Sequence, residues 1–192
     1  MARALLVIDV QNDFTEGGAL GVDGGAAVAA GISAHLARHR GDYALVVASR
    51  DWHDGDNDNG GHFAAGTPDF VGTWPVHCVA GTPGAAYHPD LATDAIDAHV
   101  RKGQGRPAYS AFEGVLEDGE PLAALLAERG ITDIDVAGIA TDYCVRASAL
   151  DAAATGARVR VLTDLVAGVA PASSAAALEE LRAAGVETVP AG

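Results

Sequence analysis

The chain has 192 residues, 49% of them apolar, which is enough for a sizeable core and far from the composition of chains that stay disordered. Its 26 Asp and Glu outnumber 12 Lys and Arg, giving a net charge of −14. That balance argues against nucleic acid and against an anionic membrane surface as partners, since both attract Lys and Arg, and no apolar run approaches the roughly 18 residues that cross a bilayer.

Taken in order, the chain alternates two patterns. Apolar, partly β-branched runs occupy residues 4–10, 43–48, 96–100, 134–139, 159–162 and 186–189, and read as strands. Ala- and Leu-rich stretches with helical spacing fill residues 26–39, 121–129, 144–154 and 174–183, with Gly130 and Gly156 placed as helix stops. Strands alternating with helices predict an α/β fold of three layers, α/β/α, around a six-stranded parallel sheet. No repeat or linker interrupts it, so residues 1–192 are expected to form a single domain. The first run ends in Asp9 and lacks a signal-peptide cleavage pattern, so a cytoplasmic location is expected. The two cysteines, Cys78 and Cys144, are then expected as free thiols.

One stretch breaks the rhythm. From about residue 50 to 89 the chain is rich in Gly, Asp, Asn, Pro and His and carries no long element. Both Trp residues lie in it, with Cys78, so it reads as a site-building excursion rather than a disordered insertion. Asp54, Asp56 and Asp58 alternate as in a calcium loop, but Asn59 and Ala65 stand where such a loop needs Gly and Glu.

Ligands of open parallel sheets bind beyond the carboxyl ends of the strands. Asp9, Asp51 with His53, Lys102 and Cys144 fall at four successive strand ends. Cys144 opens a helix, where a thiolate is favoured and where backbone N–H groups can bind an oxyanion. Asp9 is a candidate general base and acid, needed because an amide's leaving amine must be protonated. The reference acidities of Asp and Cys differ by about 6 kcal/mol, so a nearby cation is required, and Lys102 is suited to pair with both. Asp51 and His53, two apart on an extended segment, point to one side, and His77 and His62 are further candidates for the same ion. Imidazole with carboxylate suits a divalent zinc, iron or manganese.

These segments resemble the nicotinamidase/pyrazinamidase branch of the isochorismatase-like hydrolases. The matching pieces are Val-Ile-Asp9-Val-Gln-Asn-Asp-Phe14, Ser-Arg-Asp51-Trp-His53, Trp74-Pro-Val-His77-Cys, Lys102-Gly, Tyr109-Ser-Ala-Phe112 and Gly-Ile-Ala-Thr-Asp-Tyr-Cys144-Val. They run in order along nearly the whole chain. The resemblance implies sheet order 3-2-1-4-5-6 and a catalytic triad of Asp9, Lys102 and Cys144. It further implies a divalent metal on Asp51, His53 and His77, with His62 as a fourth ligand. Phe14, Trp74 and Tyr109 would contact the substrate. A cis peptide before Ala140 would aim the N–H groups of Ala140 and Cys144 as an oxyanion hole. The implied activity is hydrolysis of nicotinamide, and of pyrazinamide, through a cysteine thioester. A related cysteine hydrolase acting on a carbamoyl or other small amide is the alternative. A nucleotide-dependent oxidoreductase is disfavoured, because Val10-Gln-Asn-Asp-Phe-Thr stands where a G-x-G-x-x-G loop would follow the first strand. The oligomeric state is left open.

Overall fold

The computed structural model describes residues 2–192. Strands β1 (Ala2–Ile8), β2 (Leu45–Asp51), β3 (Ala98–Lys102), β4 (Val115–Leu116), β5 (Ile131–Ile139), β6 (Arg158–Ala167) and β7 (Glu187–Val189) form one sheet in the order β4-β3-β2-β1-β5-β6-β7. All neighbours are parallel except β4, which pairs antiparallel to β3 through Val100–Leu116 and Arg101–Val115. Without β4, the order is the predicted 3-2-1-4-5-6. The seventh strand is a correction to the expected six: two residues between Gly114 and the Asp118–Gly119 turn are too short to show a period.

Helices cover both faces. Helix α1 (Gly25–His39) lays Val28, Ala29, Ile32 and Leu36 on Leu5, Val7, Val46 and Ala48. On the other face α2 (Leu122–Glu128), α3 (Arg146–Ala154) and α4 (Pro171–Ala183) cover Ala4, Leu6, Leu45, Val47, Ile134 and Val136. The central strands are therefore buried on both sides, which is why they read as continuous apolar runs rather than alternating ones. Among the described residues, no helix is long and apolar enough to cross a membrane.

The strand ends differ from the sequence expectation in a way that matters to the site. β1 stops at Ile8 because Asp9 takes φ 48°, and the Gln11 N–H turns back to the Asp9 carbonyl at 2.8 Å. β2 and β3 run further than expected, so Asp51 and Lys102 are their last residues and lie in register as direct neighbours. The expected helix start at Cys144 is instead one wide turn of π-helix, Thr141–Val145, ahead of α3. Between β2 and β3 the chain makes only one short 3-10 turn, Thr93–Ala95, and isolated bridges such as His53–Val79 and Phe63–Trp74.

Candidate active site

The carboxyl ends of β1, β2 and β3 and the turn after β5 bring four reactive side chains together. Asp9, Asp51, Lys102 and Cys144 are all buried. The Lys102 Nζ lies 2.8 Å from an Asp9 carboxylate oxygen and 3.6 Å from the Cys144 sulfur, and it also donates to Asp51. Lys102 therefore reaches across β2 and β1 to a residue that follows β5, a span that strand order alone does not reveal. The Ser49 hydroxyl donates to the other Asp9 oxygen at 2.7 Å. Ser49 was not singled out from the sequence; its signal is the two-residue spacing that puts Ser49 and Asp51 on one face of β2.

Charge and burial set the proton inventory of this cluster. Burial pushes the Asp9 carboxyl up; Lys102 pulls it down, but the Asp51 charge adds to the burial effect and the net direction is upward. Burial likewise drives the Cys144 thiol well above its ordinary value; Lys102 opposes this, while the Asp9 charge and hydrogen bond reinforce it. Burial disfavours the Lys102 ammonium, yet Asp51 and Asp9 outweigh it and hold Lys102 firmly protonated. At rest Cys144 is a thiol, Lys102 an ammonium and Asp51 a carboxylate, with the Asp9 carboxyl held against the Lys102 ammonium.

Next to it stands a second group. His53, His62 and His77 are buried, and one ligand nitrogen of each lies within 4.8 Å of the others. The Asp51 Oδ2 is 3.6 Å from both His53 Nε2 and His77 Nε2. His53 Nδ1 donates to the Gly103 carbonyl and His77 Nδ1 to the Pro75 carbonyl, each at 2.8 Å. Both rings are thereby turned so that Nε2 faces inward toward Asp51, the support typical of metal-bound histidine. Gly103 is required there, since a Cβ would meet the His53 ring at 2.4 Å. Burial, then the His53 and His77 rings, lowers His62 to about 4, so it is a neutral imidazole at neutral pH. Burial would raise Asp51, but Lys102 and the two adjoining rings hold it well below the usual carboxylate range. His53 Nε2 and His62 Nδ1 are buried with no hydrogen-bond partner. Buried nitrogens without a hydrogen-bond partner are what a bound cation would satisfy, and the Asp51 carboxylate stands beside His53 and His77, so these residues fit a divalent ion.

Above both groups opens a cavity of about 290 Å³. Phe14, Trp74 and Tyr109 line it, with Asp51, His62 and His77 on one side and Ile139, Ala140 and Cys144 at its base. Asp9 and Lys102 are buried and do not line it. The Trp74 indole N–H donates to the Tyr109 hydroxyl at 3.1 Å, which fixes that ring. The Ile139–Ala140 peptide is cis, and the Ala140 carbonyl accepts from the N–H groups of Tyr143 and Val145 at 3.1 Å each. Cys78 is buried elsewhere and both cysteines are free thiols, as expected. Further walls, among them Leu20, Val22, Phe70 and Val169, were not singled out from the sequence. They come from loops whose paths no local pattern specifies. Asp13 anchors one of those paths, accepting from the Cys78 N–H at 2.7 Å and so tying the Phe14 turn to the His77 segment.

The isochorismatase domain family matches residues 3–191. A nicotinamidase/pyrazinamidase of Mycobacterium tuberculosis is 55% identical over 187 residues, which cover 97% of this chain and 98% of the relative. Two solved structures superpose closely. The pyrazinamidase of Pyrococcus horikoshii in complex with zinc has a TM-score of 0.83 at 38% identity, with 99% of each chain covered. PnC1 of L. infantum in complex with nicotinate has a TM-score of 0.85 at 38% identity, covering 98% of this chain and 92% of that one.

Proposed function

The chain belongs to the isochorismatase family, and on that premise we infer that it is an amidohydrolase converting nicotinamide and water to nicotinic acid and ammonia. Pyrazinamide, with one further ring nitrogen, is the second amide of the same class. The observation that carries the reading is the meeting of Lys102 with Asp9 at 2.8 Å and with Cys144 at 3.6 Å beneath an aromatic-walled cavity.

In the proposed reaction the pyridine ring enters between Phe14 and Trp74, and the carboxamide carbon rests over Cys144. Asp9 takes the thiol proton as the sulfur attacks. Burial raises the Asp9 carboxyl and the Cys144 thiol alike, so the transfer depends on the Lys102 ammonium that stands beside both. Lys102 stays charged and stabilises the thiolate as it forms. The backbone N–H groups of Ala140 and Cys144 receive the oxyanion. Asp9 then hands its proton to the departing nitrogen, ammonia leaves, and a nicotinoyl thioester remains on Cys144. Asp9 next takes a proton from water as its oxygen attacks the thioester; the C–S bond breaks, nicotinic acid is freed, and Asp9 returns the proton to the departing sulfur to restore the thiol.

We further infer that Asp51, His53, His62 and His77 hold one divalent ion, with zinc, iron and manganese all suited to nitrogen and carboxylate donors. When bound, such an ion supplies a Lewis-acidic anchor that orients the substrate. The test is to load the purified protein with each metal and follow ammonia and nicotinic acid together. Equimolar release is expected, with a nicotinoyl adduct on Cys144 recoverable by acid quench and mass spectrometry. Hydrolysis of N-carbamoylsarcosine in preference to nicotinamide would overturn the substrate assignment.

A further inference from the structure

Asp142 lies two residues before Cys144 in the wide turn, and no step above uses it. It is buried, 6% exposed, and its carboxylate is fully engaged. One oxygen accepts from the Val169 N–H at 3.0 Å; the other accepts from the Ala170 N–H at 3.3 Å and the Ser173 hydroxyl at 2.5 Å. Val169 and Ala170 belong to the segment joining β6 to α4, and Ser173 to the first turn of α4. Ala170, which precedes α4, has no side-chain oxygen to offer that helix, so a carboxylate supplied from another element stands near its N-terminus, where negative charge is favoured.

The consequence concerns Cys144. The turn that carries it is tied internally through the Ala140 carbonyl. Asp142 is its side-chain link to the β6–α4 segment, and that segment supplies Val169 to the cavity wall. Gly168 shows how closely the two pieces meet, since a Cβ there would lie 1.9 Å from the Ser174 hydroxyl and 3.2 Å from Asp142. We propose that Asp142 is a positioning residue for the thiol reaction: it locks the nucleophile turn to the β6–α4 segment and thereby sets where the Cys144 sulfur stands relative to Asp9, Lys102 and the substrate. This rests on the reading of Cys144 as the nucleophile.

The test compares Asp142→Ala, Asp142→Asn and Ser173→Ala in metal-loaded protein. An asparagine can keep its oxygen on the Val169 N–H and donate its amide to the Ser173 oxygen, whose hydroxyl turns to the Ala170 carbonyl already 3.2 Å away. Only the weakest of the three bonds is lost. Misplacement of a reacting group by about 1 Å costs on the order of 100-fold. Asp142→Ala should therefore lower kcat by about 10- to 100-fold with a smaller change in KM, because Phe14 and Trp74 sit on other elements. Asp142→Asn should stay within about threefold of the parent, and Ser173→Ala should fall between the two.

Alkylation of Cys144 by iodoacetamide at neutral pH, read by peptide mapping, supplies a measure independent of turnover. It should slow about tenfold in Asp142→Ala and recover in Asp142→Asn, since a displaced sulfur loses its base and its cation. A bulk loss of stability with unchanged kcat and alkylation rate would overturn the proposal, as would equal damage from Asn and Ala. If Asp142→Ala does not fold, a Ser173→Ala variant with unaltered kcat and alkylation rate overturns it instead. Should the parent release no ammonia from nicotinamide, the substrate reading fails alone, and the alkylation series still decides the role of Asp142.

Discussion

Replacing Lys102 by methionine tests whether the ammonium holds the buried cluster together. Methionine has a similar reach and no charge, so the substitution removes one cation and leaves Asp9 and Asp51 facing each other without it. Removing one partner of a buried ion pair costs about 3–5 kcal/mol, because the survivor is left charged and unsolvated. For a chain of this length each kcal/mol lowers Tm by about 2–4 °C, so a drop of about 6–20 °C is expected. The melt should be followed by circular dichroism after chelation, so that no added metal substitutes for the ammonium. Adding Asp51→Asn to Lys102→Met should recover part of the loss, since it removes one of the two like charges; Asp51→Asn alone should destabilise. Activity should fall in every one of these variants. A Lys102→Met protein that melts within about 2 °C of the parent would refute the argument that the ion cluster is held together by that one cation.

Cys144→Ala should keep the fold and abolish ammonia release; normal hydrolysis would remove the covalent scheme. His53→Ala should lower bound metal and activity together, with affinity falling by more than the about 10- to 100-fold that loss of a ligand's hydrogen-bonded support costs, measured by elemental analysis. A variant that loses metal yet keeps kcat and KM would show the histidine cluster to be structural. Trp74→Ala should raise KM by about 2- to 12-fold and change kcat less, the equivalent of about 0.5–1.5 kcal/mol of ring contact bound equally in ground and transition states. His35 is a contributor to the pH dependence of stability away from the site. Burial, reinforced by His39, lowers His35 from 6.5. The unfolded chain then binds more protons than the folded one in the window below 6.5, so this contribution is present above that pH and is lost as pH falls through it. His35→Gln should flatten the fall of Tm between about pH 7 and 5, and an unchanged slope would rule His35 out.

Much of the site was legible because a parallel sheet turns a linear pattern into a place. Asp9, Asp51, Lys102 and Cys144 each follow or end an apolar run, and the carboxyl ends of parallel strands share one edge. The same reasoning put Asp51 and His53 on one side of an extended segment. What it did not reveal follows from loops and register. Strand β4 is too short to carry a period, and β2 and β3 extend past their apolar runs because Asp51 and Lys102 are paired in the ladder rather than selected by hydrophobicity. Ser49, Asp142 and the cavity walls at Leu20, Phe70 and Val169 act through partners far off in sequence.

The alternation of apolar runs and amphipathic stretches determined the layered α/β architecture by itself, because burial on two faces or on one stripe is written in residue periodicity. The histidines and the two candidate thiols could also be named from residue type alone. Tertiary folding decided the distances: that the Lys102 ammonium crosses two strands to reach sulfur, that His62 joins His53 and His77, and that Asp142 fastens the turn bearing Cys144. Proximity across more than 40 residues is a property of how strands are ordered and how loops pack, and periodicity carries no record of either.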